Sequence, residues 1–160
     1  MSMGQVESRL KDMGLTVPEV VPPVAAYVPA VVDGARVYTS GQLPMIDGAM
    51  PYTGKVGEGE GMVSPEQAKE LARYCALNAI AALKSVVGDL DKIERIVKVV
   101  GFVAADPSFT AVPGVINGAS ELLGAAFGDK GVHARSAVGV AVLPLNASVE
   151  VELIAALADD

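Results

Sequence analysis

The chain has 160 residues, the size of one domain around one core rather than two. Hydrophobic residues make up 51% while Phe, Trp and Tyr together reach 4%, so Ala, Val, Leu and Ile must build an interior in which backbones approach closely. Twelve Lys and Arg, scattered without a cluster, against nineteen Asp and Glu give −7 and argue against nucleic acid; one Cys and one His allow neither an intrachain disulfide nor a Cys/His zinc site.

The start, MSMGQVESRLKDMG, lacks the basic stretch and apolar block of a secretory signal, and no apolar run approaches the roughly 18 residues of a membrane span. The chain therefore reads as cytoplasmic, with no membrane partner. Ser2 to Met13 has helical spacing at Val6, Leu10 and Met13 and is followed by the proline-rich Val17 to Pro23. Residues 1–23 are expected to be an extension docked on a domain of residues 24–160.

Ala25 to Ser40 is rich in Val and Tyr around Asp33-Gly34, which predicts two strands joined by a tight turn. Pro29 cannot donate a ladder hydrogen bond and places the first strand at an edge or a bulge. Leu43 to Val63 is a Gly- and Pro-rich loop ending at a strong helix start: Ser64 as cap, Pro65 in the first turn and Gln67 completing a capping box. Leu71, Ala72, Cys75, Ala76, Ala79, Ala82, Leu83 and Val86 continue at helical spacing until Gly88. Ile93 to Ala105 is apolar on both alternating faces and reads as a central strand buried on two sides. Val112 to Phe127 predicts a second helix stopped by Gly128, and Ala134–Val142 and Ser148–Ala156 predict two strands. The order β-β-α-β-α-β-β implies an α+β layer with helices against one sheet face.

Val149, Val151 and Leu153 form the core face of the last strand, and Glu150 and Glu152 the other. In the strand before it, Arg135, Ala137, Gly139 and Ala141 share a face of small side chains. Such a row admits another sheet closely, and two helices cover only one face of the sheet. Other copies of the chain are then expected to cover the second face. If the last two strands pair as a hairpin, Arg135 lies opposite Ala155 and Glu150 opposite Val140, five residues and roughly 16 Å apart. Were both to serve one site, they would meet across a subunit boundary.

Arg135, a lone guanidinium among Ala and Gly, suits a planar anion held by two parallel hydrogen bonds. The competing reading is an intersubunit salt bridge to Glu150 or Glu152. The two glutamates share a face, so repulsion can raise one of them into a proton donor, although plain charge pairing is the commoner case. His133 reads as a loop residue and Cys75 as a small core side chain. The glycines from Gly57 to Gly61 match no nucleotide-binding motif.

Tyr38-Thr39-Ser40-Gly41-Gln42-Leu43-Pro44 and His133-Ala134-Arg135-Ser136-Ala137-Val138, followed by Leu143-Pro144 and Val149-Glu150-Val151-Glu152, resemble the signature of the Rid family. These are reactive intermediate deaminases of the RidA and YjgF type, also labelled endoribonuclease L-PSP-like, and the resemblance spans about Val24 to Ala156. It implies a chorismate-mutase-like α+β fold, a mixed β-sheet packed on two helices, and a homotrimer with a central β-barrel and clefts between subunits. It also implies hydrolysis of 2-imino and 2-enamino acids to 2-oxo acids and ammonia, with no metal or cofactor. Carried over, Arg135 clamps the substrate carboxylate, the backbone at Ser40-Gly41 and at Ala137 lines the pocket, and Tyr27, Asn117 and Glu150 surround the imine and the attacking water. Ala137 stands where many members have Cys, and the region from Phe109 to Asn117 is a few residues longer than usual, which marks a divergent branch. The alternative is a non-catalytic trimer that binds a 2-oxo acid through Arg135. Ribonuclease activity ranks third for an acidic chain with a single His.

Overall fold

The computed structural model describes residues 3–23 and 25–159; Ser2, Val24 and Asp160, which delimit some of the predicted segments, lie outside them. Helix α1 spans Gln5–Asp12 and buries Val6 and Leu10. The carboxylate of Asp91 accepts the backbone N–H groups of Gln5 and Val6, satisfying two donors that a helix start leaves free. Arg9 donates to the carbonyl of Ala126 and Lys84 pairs with Glu7, which hold the middle of α1 as Asp91 holds its start.

Strands β1 (Ala30–Asp33) and β2 (Arg36–Thr39) form the expected hairpin. Its central residues are Gly34 and Ala35 rather than Asp33 and Gly34. Only Gly34 is left-handed, at φ +61°, as a type II′ turn requires. Strand β1 begins immediately after Pro29 and is an edge strand, so the missing proline N–H costs no ladder bond.

Helix α2 (Pro65–Val87) starts with the predicted capping box: Gln67 N–H donates to Ser64 Oγ and Ser64 N–H to Gln67 Oε1, both at 3.1 Å. Every predicted core position of α2 is buried except Val86, which is exposed while Val87 turns inward. Strand β3 (Ile93–Ala104), helix α3 (Val112–Phe127), strand β4 (Ala134–Val140) and strand β5 (Val149–Leu157) follow. The sheet order is β1-β2-β5-β3-β4, with β3 and β4 parallel and the other pairs antiparallel. Helices α2 and α3 cover one face, which makes the domain α+β.

The last two strands do not pair, contrary to the hairpin expectation. Strand β4 returns parallel beside β3 after α3, as a strand–helix–strand crossover demands, and occupies the outer edge. The chain from Ala141 to Ser148 then crosses the end of β3, with Leu145 and Asn146 left-handed, and β5 enters between β3 and β2. Ser148 fastens the crossing, its Oγ donating to the Gly54 carbonyl and its own carbonyl accepting the N–H of Ala104. Arg135 therefore lies level with Val99 and Leu153, and Glu150 level with Phe102, not with Ala155 and Val140 as a hairpin would have them.

The small-residue row of β4 also proves to have a different neighbour. Arg135, Ala137 and Gly139 share the helix side of the sheet with buried Val99, Gly101 and Val103. Ile116 of α3 fills the space beside Gly101, so the small side chains admit a helix, not a second sheet. The face without helices carries Tyr38, Val100, Phe102, Val138 and Ile154, all exposed or only half-buried. Strand β3 is thus fully buried on one face and, within the chain, partly open on the other.

Close approach of α2 and α3 hinges on Gly118, where a Cβ would run into the backbone carbonyl of Lys69. Gly118→Ala is expected to destabilise the protein by about 1–3 kcal/mol despite the better helix propensity of Ala. Gly124→Ala in the same helix, with open space at its Cβ, is expected to stabilise it by up to about 1 kcal/mol. Urea midpoints of the two variants check this, and two shifts of the same sign would contradict it.

Candidate active site

Arg135 projects from the edge strand along α3. Its Nη1 donates to Asn117 Oδ1 at 2.8 Å and to Ser120 Oγ at 3.2 Å, and its Nη2 donates to the Pro113 carbonyl at 3.2 Å. Residues 113, 117 and 120 recur at helical spacing, so one stripe of α3 holds the guanidinium. Three of the five guanidinium N–H groups are thereby engaged, and Nε–H and one Nη2–H have no partner among the described residues. No carboxylate pairs with Arg135 among the described residues. A half-buried, anchored cation with two donors to spare is suited to a carboxylate. Because arginine only donates, Asn117 must turn Oδ1 toward it, which leaves the Asn117 amide N–H groups for a ligand acceptor.

Ala137, two residues along the same face, lines a cavity of about 530 Å³ with Phe109, Val112, Val140 and Lys55. Lys55 Nζ is turned to the Ala141 carbonyl at 2.7 Å. The longer segment expected before Asn117 supplies Phe109, Thr110 and Val112 to that wall.

The remaining predicted residues gather elsewhere. Gln42 bridges Val151 of β5 through two backbone hydrogen bonds, which lays Ser40 and Gly41 along the start of β5. The Glu150 carboxyl lies over Gly41, where no Cβ would fit. Ser40 Oγ donates to the Val28 carbonyl at 2.6 Å and Ser40 N–H to the Pro29 carbonyl at 2.8 Å, which fixes the segment carrying Tyr27. Exposed Tyr27 and half-buried Gly41 line one small cavity of about 40 Å³ with Pro29 and Leu43. Partial burial, reinforced by the charge of Glu152, raises Glu150 above the ordinary carboxylate range. Such a carboxyl group exchanges a proton at higher pH than an exposed one.

Tyr27, Ser40, Gly41 and Glu150 thus form one group, and Arg135, Asn117 and Ala137 a second. Glu150 and Arg135 lie on strands separated by β3 and three residues out of level, about 14 Å between their backbones. Alternation along the strands points them to opposite faces of the sheet. One chain therefore does not bring all the predicted residues together. The side chains of Ser120 and His133 also belong to the Arg135 group. Ser120 was legible in principle, being three residues after Asn117 on the same helix stripe, whereas His133 read as a loop residue.

Cys75 is a core residue as expected: burial, with the charge of Glu150 adding to it, pushes the thiol well up, and Sγ contacts the Val149 carbonyl at 3.7 Å. No cluster of three or more His, Cys, Asp or Glu able to hold a metal occurs among the described residues, and no helix there is long and apolar enough to cross a membrane.

Residues 7–157 match the family model described as "YjgF/chorismate mutase-like, putative endoribonuclease". The chain is 39% identical to Protein TCP17 of Trypanosoma cruzi over 155 residues, covering 96% of this chain and 95% of that protein. It resembles the crystal structure of Atu1372, a protein of unknown function from Agrobacterium tumefaciens, with TM-score 0.86 and 43% identity over 96% of this chain and 92% of that one. The YjgF gene product of E. coli aligns with TM-score 0.61 and 26% identity over 86% of this chain and 93% of that one. On the family-model match over residues 7–157 and the 39% identity to Protein TCP17 across nearly the whole of both chains, the chain belongs to the YjgF/Rid family.

Proposed function

We propose that the protein hydrolyses 2-imino and 2-enamino acids to 2-oxo acids and ammonia, at sites made between neighbouring copies of the chain. The observation that carries this reading is Arg135: a guanidinium anchored on α3 by three hydrogen bonds, with two parallel-capable donors free and no carboxylate partner among the described residues. A planar 2-imino carboxylate matches that fork. The Asn117 amide and the backbone at Ala137 border the carboxylate subsite. Glu150, with Tyr27 and the Ser40-Gly41 backbone, comes from the adjoining copy. There its raised carboxyl group takes a proton from the attacking water and returns one to the nitrogen, so that the tetrahedral adduct expels ammonia.

The same geometry supports an oligomer. The two groups of residues face opposite sides of one sheet, and the helix-free face exposes Tyr38 and Val138 at 44% each, which other copies would cover. A closed homotrimer, with the open faces forming a central barrel, satisfies both needs. The net charge of −7 disfavours RNA as the substrate.

The test generates 2-imino acids in situ with an amino-acid oxidase and traps them with semicarbazide. The protein is expected to suppress semicarbazone formation and to sediment as a trimer. Undiminished trapping together with calorimetric binding of a 2-oxo acid would make it a binding protein instead. Salt-dependent cleavage of RNA that a point substitution abolishes would favour a nuclease.

A further inference from the structure

The Arg135 group contains a hydrogen-bonded chain that the proposed chemistry does not use. Ser120 Oγ accepts from Arg135 Nη1 at 3.2 Å and lies 2.9 Å from His133 Nε2, while His133 Nδ1 lies 2.6 Å from the Gly131 carbonyl. A carbonyl only accepts, so Nδ1 carries the proton. The Ser120 oxygen receives the arginine N–H, and with the imidazole neutral its single hydrogen points to the lone pair of Nε2. Every donor along the path has one acceptor, and the order runs from Arg135 to Ser120 to His133 to Gly131. That order requires a neutral imidazole with its proton on Nδ1.

We infer that His133, the only histidine in the chain, is a positioning residue that orients the Ser120 hydroxyl and through it holds the Arg135 fork toward its ligand. The geometry suits the task. Both residues are half-buried, and His133 sits two positions before Arg135 at the start of β4, where the loop carrying Gly131 packs under α3. Gly131 itself is buried against the Leu123 carbonyl, with no room for a Cβ, so the acceptor at the end of the chain is rigid. Removing His133 frees the Ser120 hydroxyl to turn its hydrogen anywhere, and the Nη1 contact loses its direction. Removing the Ser120 hydroxyl cuts the path altogether. The inference rests on the deaminase reading only for its kinetic consequence; the anchoring of Arg135 is a property of the free protein.

The experiment has two arms on the full-length protein. In the first, nitrogen-15 NMR of the single histidine is expected to show the neutral Nδ1–H tautomer, and the Arg135 Nη protons to be resolved because rotation of the guanidinium is hindered. Ser120→Ala and His133→Ala are each expected to average those Arg135 signals, and Ser120→Thr to restore them. In the second, either alanine variant is expected to raise KM for a 2-imino acid roughly three- to tenfold with kcat nearly unchanged, and the double variant to be no worse than Ser120→Ala alone. An Nε2–H tautomer, or Arg135 signals identical in all variants, would overturn the inference whatever the enzyme's activity. No turnover by the wild type, with the NMR pattern intact, would overturn the reaction and leave the positioning role standing. A rise in KM that is additive in the double variant would also refute a path through Ser120.

Discussion

Arg135→Ala is expected to lower kcat/KM for 2-imino acids by about 10²-fold or more while leaving the fold in place. The two free donors would each make a charge-assisted hydrogen bond with the substrate carboxylate, worth about 1.5–3 kcal/mol apiece. Truncation also releases Asn117, Ser120 and the Pro113 carbonyl, but Asn117 and Pro113 lie at the surface, where water replaces the guanidinium. Stability should therefore change little. Arg135→Lys keeps a point charge but loses the planar fork, so it should recover only part of the activity. The semicarbazide competition assay measures the rates and a urea titration measures the fold. Wild-type rates in Arg135→Ala would place the carboxylate elsewhere.

Glu150→Gln should separate catalysis from stability. A carboxyl group that moves protons in the rate-limiting steps contributes about 10²- to 10⁴-fold, and glutamine cannot do so. The same substitution should stabilise the protein at neutral pH. Burial first, and Glu152 second, raise the folded-state pKa of Glu150 above its unfolded value. In the window between those two values the folded state binds more protons than the unfolded state, so stability contributed by this group is present below the window and declines as pH rises through it. Glutamine has no charge to penalise, so the stability difference between variant and wild type should open with rising pH and be absent in acid. Urea unfolding at several pH values checks the sign. A difference that instead grows in acid would mean that a cation of a neighbouring copy faces Glu150 in the assembly.

Both predictions depend on residues that were visible in the sequence, yet their arrangement was not. The motif at His133–Val138 and the strand carrying Glu150 marked the family because their residue types and order are specific. The helices were equally legible. Ser64 and Gln67 begin α2, Gly88 ends it and Gly128 ends α3, each through interactions confined to a few consecutive residues. The pairing of the last two strands failed for the opposite reason. Alternation of polar and apolar residues says which way side chains point but not which strand lies alongside. A five-residue connection with a proline can close a hairpin or step across a strand. The left-handed Leu145 and Asn146, and the capture of Ser148 by the Gly54 carbonyl, decided for the step. The same change of neighbour put the small residues of β4 under α3 and placed the apolar, uncovered surface on the other side.

The amino-acid sequence alone determined what depends on local chemistry: where helices start and stop, which strand faces are apolar, that one arginine stands among small residues, and the family to which those motifs point. Only the tertiary structure decided the sheet order, the division of the candidate residues into two groups on opposite faces, and the chain from Arg135 through Ser120 and His133 to Gly131. Those features join Ser120 to residues 13 and 15 positions away, or strands distant from one another in the chain. Their free energy comes from burial and directional hydrogen bonds that exist only once the whole sheet and both helices are packed.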